Sequence, residues 1–479
     1  MSKTTLLGAM QTNDVLTENG MPTNSSSLNH CVDLFFQIGA MRGQDKTRLI
    51  NAFTKAFVEN PLTAMKLLFW ARDVRGGAGE RQIFKDIMSY LATNRTVVLA
   101  KNLHLVTEYG RWDDLLALIG TKLEKNALEL IAKGLADKNG LCAKWMPRPN
   151  VGNRDKKRHA NVIRKFLGLS PKEYRKLLVE NSNTVEQLMC AKNFGAIDYS
   201  KLPSKAMSDY MKAFSKRDLE RFQAYLESVD KGETTINAGA VYPYDIVKNL
   251  RFGSAQGANT QWNALPNYLE NSKERFMPVV DVSGSMSCPA GSNPNLMCID
   301  VAISLGLYIS ERNEGMFKDA FVTFSTHPKL QILKGSLQDR FNQLARAEWD
   351  GSTDIEAVFR LILSKAQAGK VAESEMPTMI MILSDMEFNG GTSGNWNLSA
   401  QQMFEKMYNE AGYKMPKVVY WNIQSRHDNV PVAFDKNGTA LVSGFSPALL
   451  TNLLGGKDLS PVSMMLDVVN SDRYSKVTI

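Results

Sequence analysis

Phe276-Met277-Pro278-Val279-Val280-Asp281-Val282-Ser283-Gly284-Ser285-Met286 (FMPVVDVSGSM) decides how the chain is read. Five apolar residues run without a break into an aspartate, and two serines follow it at alternate positions. An uninterrupted apolar run of this length, closed by Gly and Ser, reads as a strand covered on both faces; a half-exposed strand would alternate. The same grammar continues downstream. Apolar runs at 320–324 (AFVTF), 331–333, 379–383 (MIMIL), 418–421 and 439–442 read as strands, and helical spacing recurs at about 297–312, 336–347, 354–368, 400–411 and 446–454. Strands alternating with helices build a mostly parallel, doubly wound α/β sheet, whose ligands bind beyond the carboxyl ends of the strands.

That edge is where the chemistry gathers. Asp281, Ser283 and Ser285 place one carboxylate and two hydroxyls in a single turn after the first strand. Gly351-Ser352-Thr353-Asp354 opens a later helix and offers the Thr353 hydroxyl. Asp385 follows MIMIL in LSDMEFN. Every donor is an oxygen, which suits a hard divalent cation, Mg²⁺ first with Mn²⁺ or Ca²⁺ as alternatives, and does not suit zinc. Without a cation these residues would be a polar strand-end cluster, in which two facing carboxylates repel. Only Asp281 and Asp385 are anionic, so a bound cation keeps net positive charge and can take a carboxylate or phosphate from a partner. No His, Lys or Cys nucleophile lies in these motif loops, so no catalytic base or triad is visible and the expectation is a protein that is not an enzyme.

DVSGSM, the Thr353 loop and Asp385 resemble the metal-ion-dependent adhesion site of von Willebrand factor A domains, and the resemblance spans roughly 276–479. It implies a Rossmann-like α/β fold and a metal-dependent contact with a protein partner that supplies a carboxylate. One departure is the stretch SCPAGSNPNLMC between Ser285 and the next helix, which is longer than a compact loop and bears on access to the site.

Upstream the pattern is helical. Leu34, Phe35, Ile38 and Met41 recur at spacings of three and four, and KTRLINAFTKAFVEN repeats the signal. Asn60-Pro61 starts a helix and Arg75-Gly76-Gly77 ends it. Helices joined by short loops imply an all-α, HEAT-like solenoid or ring. The run Arg72, Arg75, Gly76, Gly77, Gly79, Glu80, Arg81 lacks the Lys-Ser/Thr of a P-loop and follows a helix, so it reads as a helix–helix turn with buried Arg–Glu or Arg–Asp pairing. In Gly110-Arg111-Trp112-Asp113-Asp114, Trp112 reads as core and Asp113 as a helix cap. At 479 residues the chain exceeds a single domain. The expected division is a polar arm at 1–29, irregular or partner-binding, a helical domain at 30–275 and the α/β domain at 276–479.

The net charge of +8 is unevenly spread. Residues 1–275 hold 40 Lys and Arg against 28 Asp and Glu, or +12, and residues 276–479 hold 17 against 21, or −4. A basic helical half suggests a polyanionic partner. The most basic stretch, 154–176, carries Arg154, Lys156, Lys157, Arg158, Arg164 and Lys165, then Lys172, Arg175 and Lys176. Lys144, Trp145 and Arg148 precede it in a proline-rich loop, and a helix expected at about 205–229 adds Lys212, Lys216, Arg217 and Arg221. Such residues would neutralise phosphates, and Trp145 or Tyr174, if exposed, would stack on an unpaired base. The plainer reading is a solvated helix face with both aromatics in the core.

FWARDVRGGAGERQIF, EYGRWDDLLAL and LCAKWMPRPN with the later KEYRK are similar to an uncharacterised family distantly related to the Ro autoantigen. Ro proteins join a HEAT-like helical ring, the TROVE domain, to a von Willebrand A domain, and the combined resemblance covers about 30–479. It implies binding of structured or misfolded RNA on a basic surface, with single-stranded ends entering the ring. On this reading Lys144, Trp145, Arg148, Arg154, Lys156, Lys157, Arg158, Arg164, Lys165, Lys212, Lys216 and Arg217 are the candidate RNA contacts. The alternative is a metal-dependent adhesion or assembly module without RNA binding. A metal-dependent phosphohydrolase would need a general base that the motif loops lack.

Five cysteines, at 31, 142, 190, 288 and 298, make an odd set with no CxxC. They exclude a disulfide scaffold and fit a reducing cytoplasm. The N-terminus lacks the apolar run of a signal peptide, and no stretch of 18 apolar residues is present, so neither export nor a membrane span is expected.

Overall fold

The computed structural model describes residues 13–479 except 183, 252–254, 291–295, 325–326, 347–351, 393–394 and 456–458. In chain order its strands are β1 (Val15–Leu16), β2 (Pro22–Thr23), β3 (Phe276–Val280), β4 (Ala320–Thr323), β5 (Leu330–Ile332), β6 (Met379–Ser384), β7 (Lys417–Asn422) and β8 (Thr439–Ser443). The last six form one sheet in the order β5-β4-β3-β6-β7-β8. All neighbours are parallel except β4 and β5, which pair antiparallel. Residues of β3, β6 and β8 are buried throughout, as their unbroken apolar sequences require, whereas the edge strand β5 exposes Leu330 and Ile332. The chain leaves β3 toward β4 on one side and returns to β6 on the other. The topological switch therefore lies between β3 and β6, and both strands run into the motif aspartates.

Helices cover both faces. Cys298–Arg312 is buried along nearly its whole length, and a Cβ on Gly306 would meet Val280 Cγ2 at 2.5 Å, so glycine sets how closely this helix approaches β3. Elsewhere around the sheet, Ile355–Ala368 and Ala400–Ala411 pack through Phe359 and Phe404, whose rings stack 3.6 Å apart. The expected helix at 354–368 starts one residue later because Asp354 is its N-cap, accepting from the Ala357 amide at 2.8 Å. A further helix, Pro461–Val469, was not foreseen.

The first 275 residues are mainly helical. His30–Ile38, Lys46–Glu59, Pro61–Arg72 and Arg81–Asn94 each pack on the next, and polar caps fix their starts: Asn29 accepts from Val32 and Asn60 from Thr63. The anticipated ion pairs are in place, with Arg72 Nε 2.7 Å from Asp114 Oδ2 and Arg42 Nη2 2.6 Å from Glu80 Oε1. Two local expectations fail. The cap near Trp112 is made by Asp114, which accepts from the Arg111 amide at 2.8 Å, while Asp113 holds the Arg111 guanidinium. The helix expected at 205–229 is two helices, Ser204–Arg217 and Leu219–Asp230. They break at Asp218, whose carboxylate is drawn away by Tyr199 Oη at 2.7 Å and Arg221 Nη1 at 2.7 Å.

Contact between the two halves is extensive. His30–Ile38 packs against β8, where Ser443 Oγ donates to the Phe35 carbonyl at 2.7 Å and accepts from the Gly39 amide at 3.0 Å. The last residues return to the helices: Arg473 and Tyr474 both bind Asp73, and the Asn102 side chain donates to the Thr478 carbonyl. One buried core runs from Met21 to Val477 across both halves. A separate small core, from Ile197 to Ile236, holds the helix that carries Lys212 and Arg217. Of the polar arm, residues 13–28 are ordered against the C-terminal half. β1 pairs with β2, and bridges join Gly20 to Asn389 and Asn24 to Val430.

Candidate functional site

Asp281 continues the ladder beyond β3, its amide donating to the Leu383 carbonyl at 2.9 Å, so its side chain stands at the switch point. Oδ1 accepts from the Ser283 amide at 2.9 Å, and Oδ2 accepts from Ser384 Oγ at 2.5 Å. Ser283 Oγ and Ser285 Oγ lie 3.0 Å apart in the turn that follows. Asp385, one residue past β6, accepts from the Glu387 amide at 3.3 Å. The Thr353 loop is tied to this group through Asn389, whose amide donates to the Thr353 carbonyl at 3.1 Å and whose side chain donates to Ser352 Oγ at 2.9 Å. Asp281, Ser283 and Ser285 are thus linked by hydrogen bonds, Asp385 acts on Asp281 through its charge, and the Thr353 backbone is tied to Asn389 in the segment that follows Asp385. Gly351 lies outside the described residues.

Asp281, Ser283, Thr353 and Asp385 are all buried. Burial, and then the charge of Asp385, push the Asp281 carboxyl up to about 7; burial also raises Asp385, against the pull of Arg426. Two buried carboxylates therefore compete for too little positive charge, in a pocket whose other donors are hydroxyls. That set fits a hard divalent cation held by Asp281, Ser283, Ser285, Thr353 and Asp385.

Sequence reasoning missed the groups that surround these five. Arg426, in the loop after β7, lays its guanidinium on Asp385, and its Nη2 is 3.5 Å from Glu18 Oε2 on the arm. Its Nε is buried and, among the described residues, has no hydrogen-bond partner. Glu387 is buried and accepts from the Glu18 amide at 2.6 Å and Asn429 Nδ2 at 3.0 Å, with His427 Nδ1 at 3.0 Å. Glu18, Glu387 and His427 bring their ligand atoms within 4.8 Å of one another. Because its own chain already fills the Glu387 carboxylate, the cluster acts as a clasp for the arm, reinforced where Thr17 Oγ1 donates to the Phe388 carbonyl at 2.6 Å. The available signal was positional: QSRHDN follows another parallel strand and must emerge at the same edge. Nothing marked Glu18.

The basic residues divide. Arg154–Phe166 is a helix capped by Asn153, with Ala160 and Ile163 turned inward. Arg154, Lys156, Lys157, Arg158 and Lys165 are exposed, and among the described residues Arg154, Lys156, Lys157 and Lys165 form no ion pair. Arg164 is half-buried and donates to Asn161 at 2.8 Å. Lys212, Lys216 and Arg217 are exposed on Ser204–Arg217. Lys144, Trp145 and Arg148, by contrast, are engaged internally. Lys144 Nζ lies 2.8 Å from Glu186, the Arg111 guanidinium covers the Trp145 ring at 3.6 Å, and half-buried Arg148 reaches Ser182. Tyr174 is fully buried and offers no stacking face. No helix among the described residues is long and apolar enough to cross a membrane.

Residues 276–476 match the family model described as Domain of unknown function (DUF7788), and residues 17–139 and 127–277 match Domain of unknown function (DUF2828). The chain is also similar to the uncharacterized protein L728 of Acanthamoeba polyphaga mimivirus, with 31% identity over 95% of this chain and 86% of the relative. Both halves of the relative therefore align with both halves described here, and the chain belongs to the family that these two domains of unknown function define.

Proposed function

We propose that this protein is a non-enzymatic RNA-binding protein in which a HEAT-like helical body is joined to a von Willebrand A-type domain bearing a Mg²⁺-dependent protein-contact site. The observation that carries RNA binding is the exposed basic face of Arg154–Phe166, where Arg154, Lys156, Lys157 and Lys165 have no carboxylate partner among the described residues. Such a face would neutralise phosphates and release the counterions condensed on the RNA, so affinity falls steeply with salt. The strand order, with its antiparallel edge and its two aspartates at the switch point, supports the von Willebrand A assignment. When bound, the cation would supply an electrophilic contact for an incoming carboxylate. Around it, Asp281 and Asp385 would hold the charge, and Ser283, Ser285 and Thr353 would present hydroxyls.

Filter binding of single-stranded and structured RNA across a salt series tests this reading. Salt-sensitive binding that weakens in Lys156→Ala/Lys157→Ala/Arg158→Ala supports it. Absence of binding near physiological salt overturns it.

A second reading, a metal-dependent adhesion or assembly module without RNA contacts, is favoured by the internal engagement of Lys144, Trp145 and Arg148. Partner capture lost on chelation or in Asp281→Ala, with no RNA bound, would select it.

A further inference from the structure

The stretch between Ser285 and the helix Cys298–Arg312 contains two thiols that face each other. Cys288 follows the short turn Gly284–Ser287, and Cys298 is the first residue of the helix. Their sulfurs are 3.5 Å apart. The backbone pairs them as opposed residues of an antiparallel ladder: Cys298 N donates to Cys288 O at 3.0 Å, Pro289 bridges Met297, and Ala290 N donates to Leu296 O at 2.7 Å. Opposed residues of such a ladder stand about 4.5–5.5 Å apart at Cα, inside the ~4.4–6.8 Å that a disulfide spans. Little backbone movement separates the two thiols from a covalent bond.

Their surroundings divide the labour. Cys288 is half-buried and Cys298 is buried. Pairing with Cys298, and then the Arg426 guanidinium, hold the Cys288 thiol below its ordinary range, while the same pairing and burial raise Cys298. An accessible thiol with thiolate character beside a protected one is the arrangement of an attacking and a resolving cysteine. The other three cysteines differ. Cys31 and Cys142 are buried, with burial as the main cause raising both to about 12, and Cys190 is exposed.

We propose that Cys288 and Cys298 are a reversible dithiol–disulfide site that takes a low-molecular-weight disulfide of the glutathione class and locks the Ser283/Ser285 turn to the start of the following helix. The Cys288 thiolate attacks one sulfur of glutathione disulfide, forming a mixed disulfide and releasing one glutathione thiolate. Cys298 gives up its proton and attacks the Cys288 sulfur, displacing the second glutathione. Two protein thiols are oxidised, one glutathione disulfide is reduced to two thiols, and the two protein protons pass to the released glutathiones. In a reducing compartment such a bond is transient and not structural. The proposal is independent of cation binding and of RNA binding.

The test is exchange with glutathione disulfide followed by alkylation and peptide mass analysis of the full chain. The expected result in the wild type is a cross-linked Cys288–Cys298 product, two hydrogens lighter than the dithiol, unalkylated, and restored by dithiothreitol. In Cys298→Ser the expected product is glutathione retained on Cys288. Full alkylation of Cys288 after treatment of the wild type overturns the proposal, as does glutathione retained on Cys288 while Cys298 is intact.

Discussion

The Arg426 guanidinium sits on the Asp385 carboxylate at the carboxyl end of the central sheet, so an internal cation already occupies one side of the candidate metal centre. It neutralises one of two buried acids and competes with any divalent ion for that acid. Arg426→Ala should therefore tighten Mg²⁺ binding by about tenfold, equivalent to ~1.4 kcal/mol, while destabilising the ion-free protein. Titration calorimetry checks the affinity; an unchanged or weaker affinity would show that Arg426 supports the site.

Asp281 has the opposite role. Its carboxyl is fully buried and raised, so its ionised form costs stability until a cation compensates. In Asp281→Asn the ion-free protein should be as stable as the wild type or more so, and Mg²⁺ should no longer raise its melting temperature. For the wild type, cation at about 100 times its dissociation constant should add about 2.7 kcal/mol. Thermal melts with and without chelator read both effects, and a Mg²⁺ shift that persists in Asp281→Asn would count against these ligands.

Gly39 closes the first helix against the sheet. A Cβ there would come within 2.6 Å of the Ser443 carbonyl oxygen and 2.9 Å of Gly444 Cα, both backbone atoms that cannot rotate away. Gly39→Ala should cost about 1–3 kcal/mol by overpacking. Because His30–Ile38 and β8 belong to one core, the loss should appear as a single shifted denaturation transition. A transition confined to the helical half would contradict shared packing.

How much of this was legible differs by element. The strands were, because a doubly covered sheet needs unbroken apolar runs, and β3, β6 and β8 supply them. The meeting of two carboxylates at one sheet edge was legible because a strand end fixes where Asp281 and Asp385 emerge. What covers β8 was not. Periodicity shows that His30–Ile38 has an apolar face, but no local signal says that the face meets Ser443, about 400 residues later. The partner of Trp145 was hidden for a related reason. Its neighbours Lys144 and Arg148 made it look like a stacking platform, whereas Arg111, far back in sequence, is the cation over its ring.

The C-terminus should behave as part of the helical body. Arg473 Nη2 lies 2.8 Å from Asp73 Oδ1, and Asp73 is buried, with Tyr474 Oη as a further donor at 3.1 Å. Arg473→Met leaves that carboxylate short of a partner. Removing one member of a fully buried pair costs ~3–5 kcal/mol, but Arg473 is partly exposed and solvent screening lowers the expected loss to about 2 kcal/mol. Urea denaturation measures it, and a change below a few tenths would mean that Tyr474 and the Arg75 amide satisfy Asp73 without Arg473.

The basic helix gives the sharpest test of the functional proposal, because it separates phosphate contact from folding. Lys156, Lys157 and Arg158 are exposed on Arg154–Phe166, whose buried residues are Ala160 and Ile163. Replacing all three with Ala should leave the melting temperature nearly unchanged. If each contacts a phosphate, the slope of log K against log salt should flatten by about 2–3. Trp145→Ala should do the reverse: it removes the ring beneath Arg111, lowers stability, and leaves the salt slope intact. A triple variant with the wild-type slope, or a Trp145 variant that loses RNA without losing stability, would move the RNA contact away from this helix and toward the loop before it.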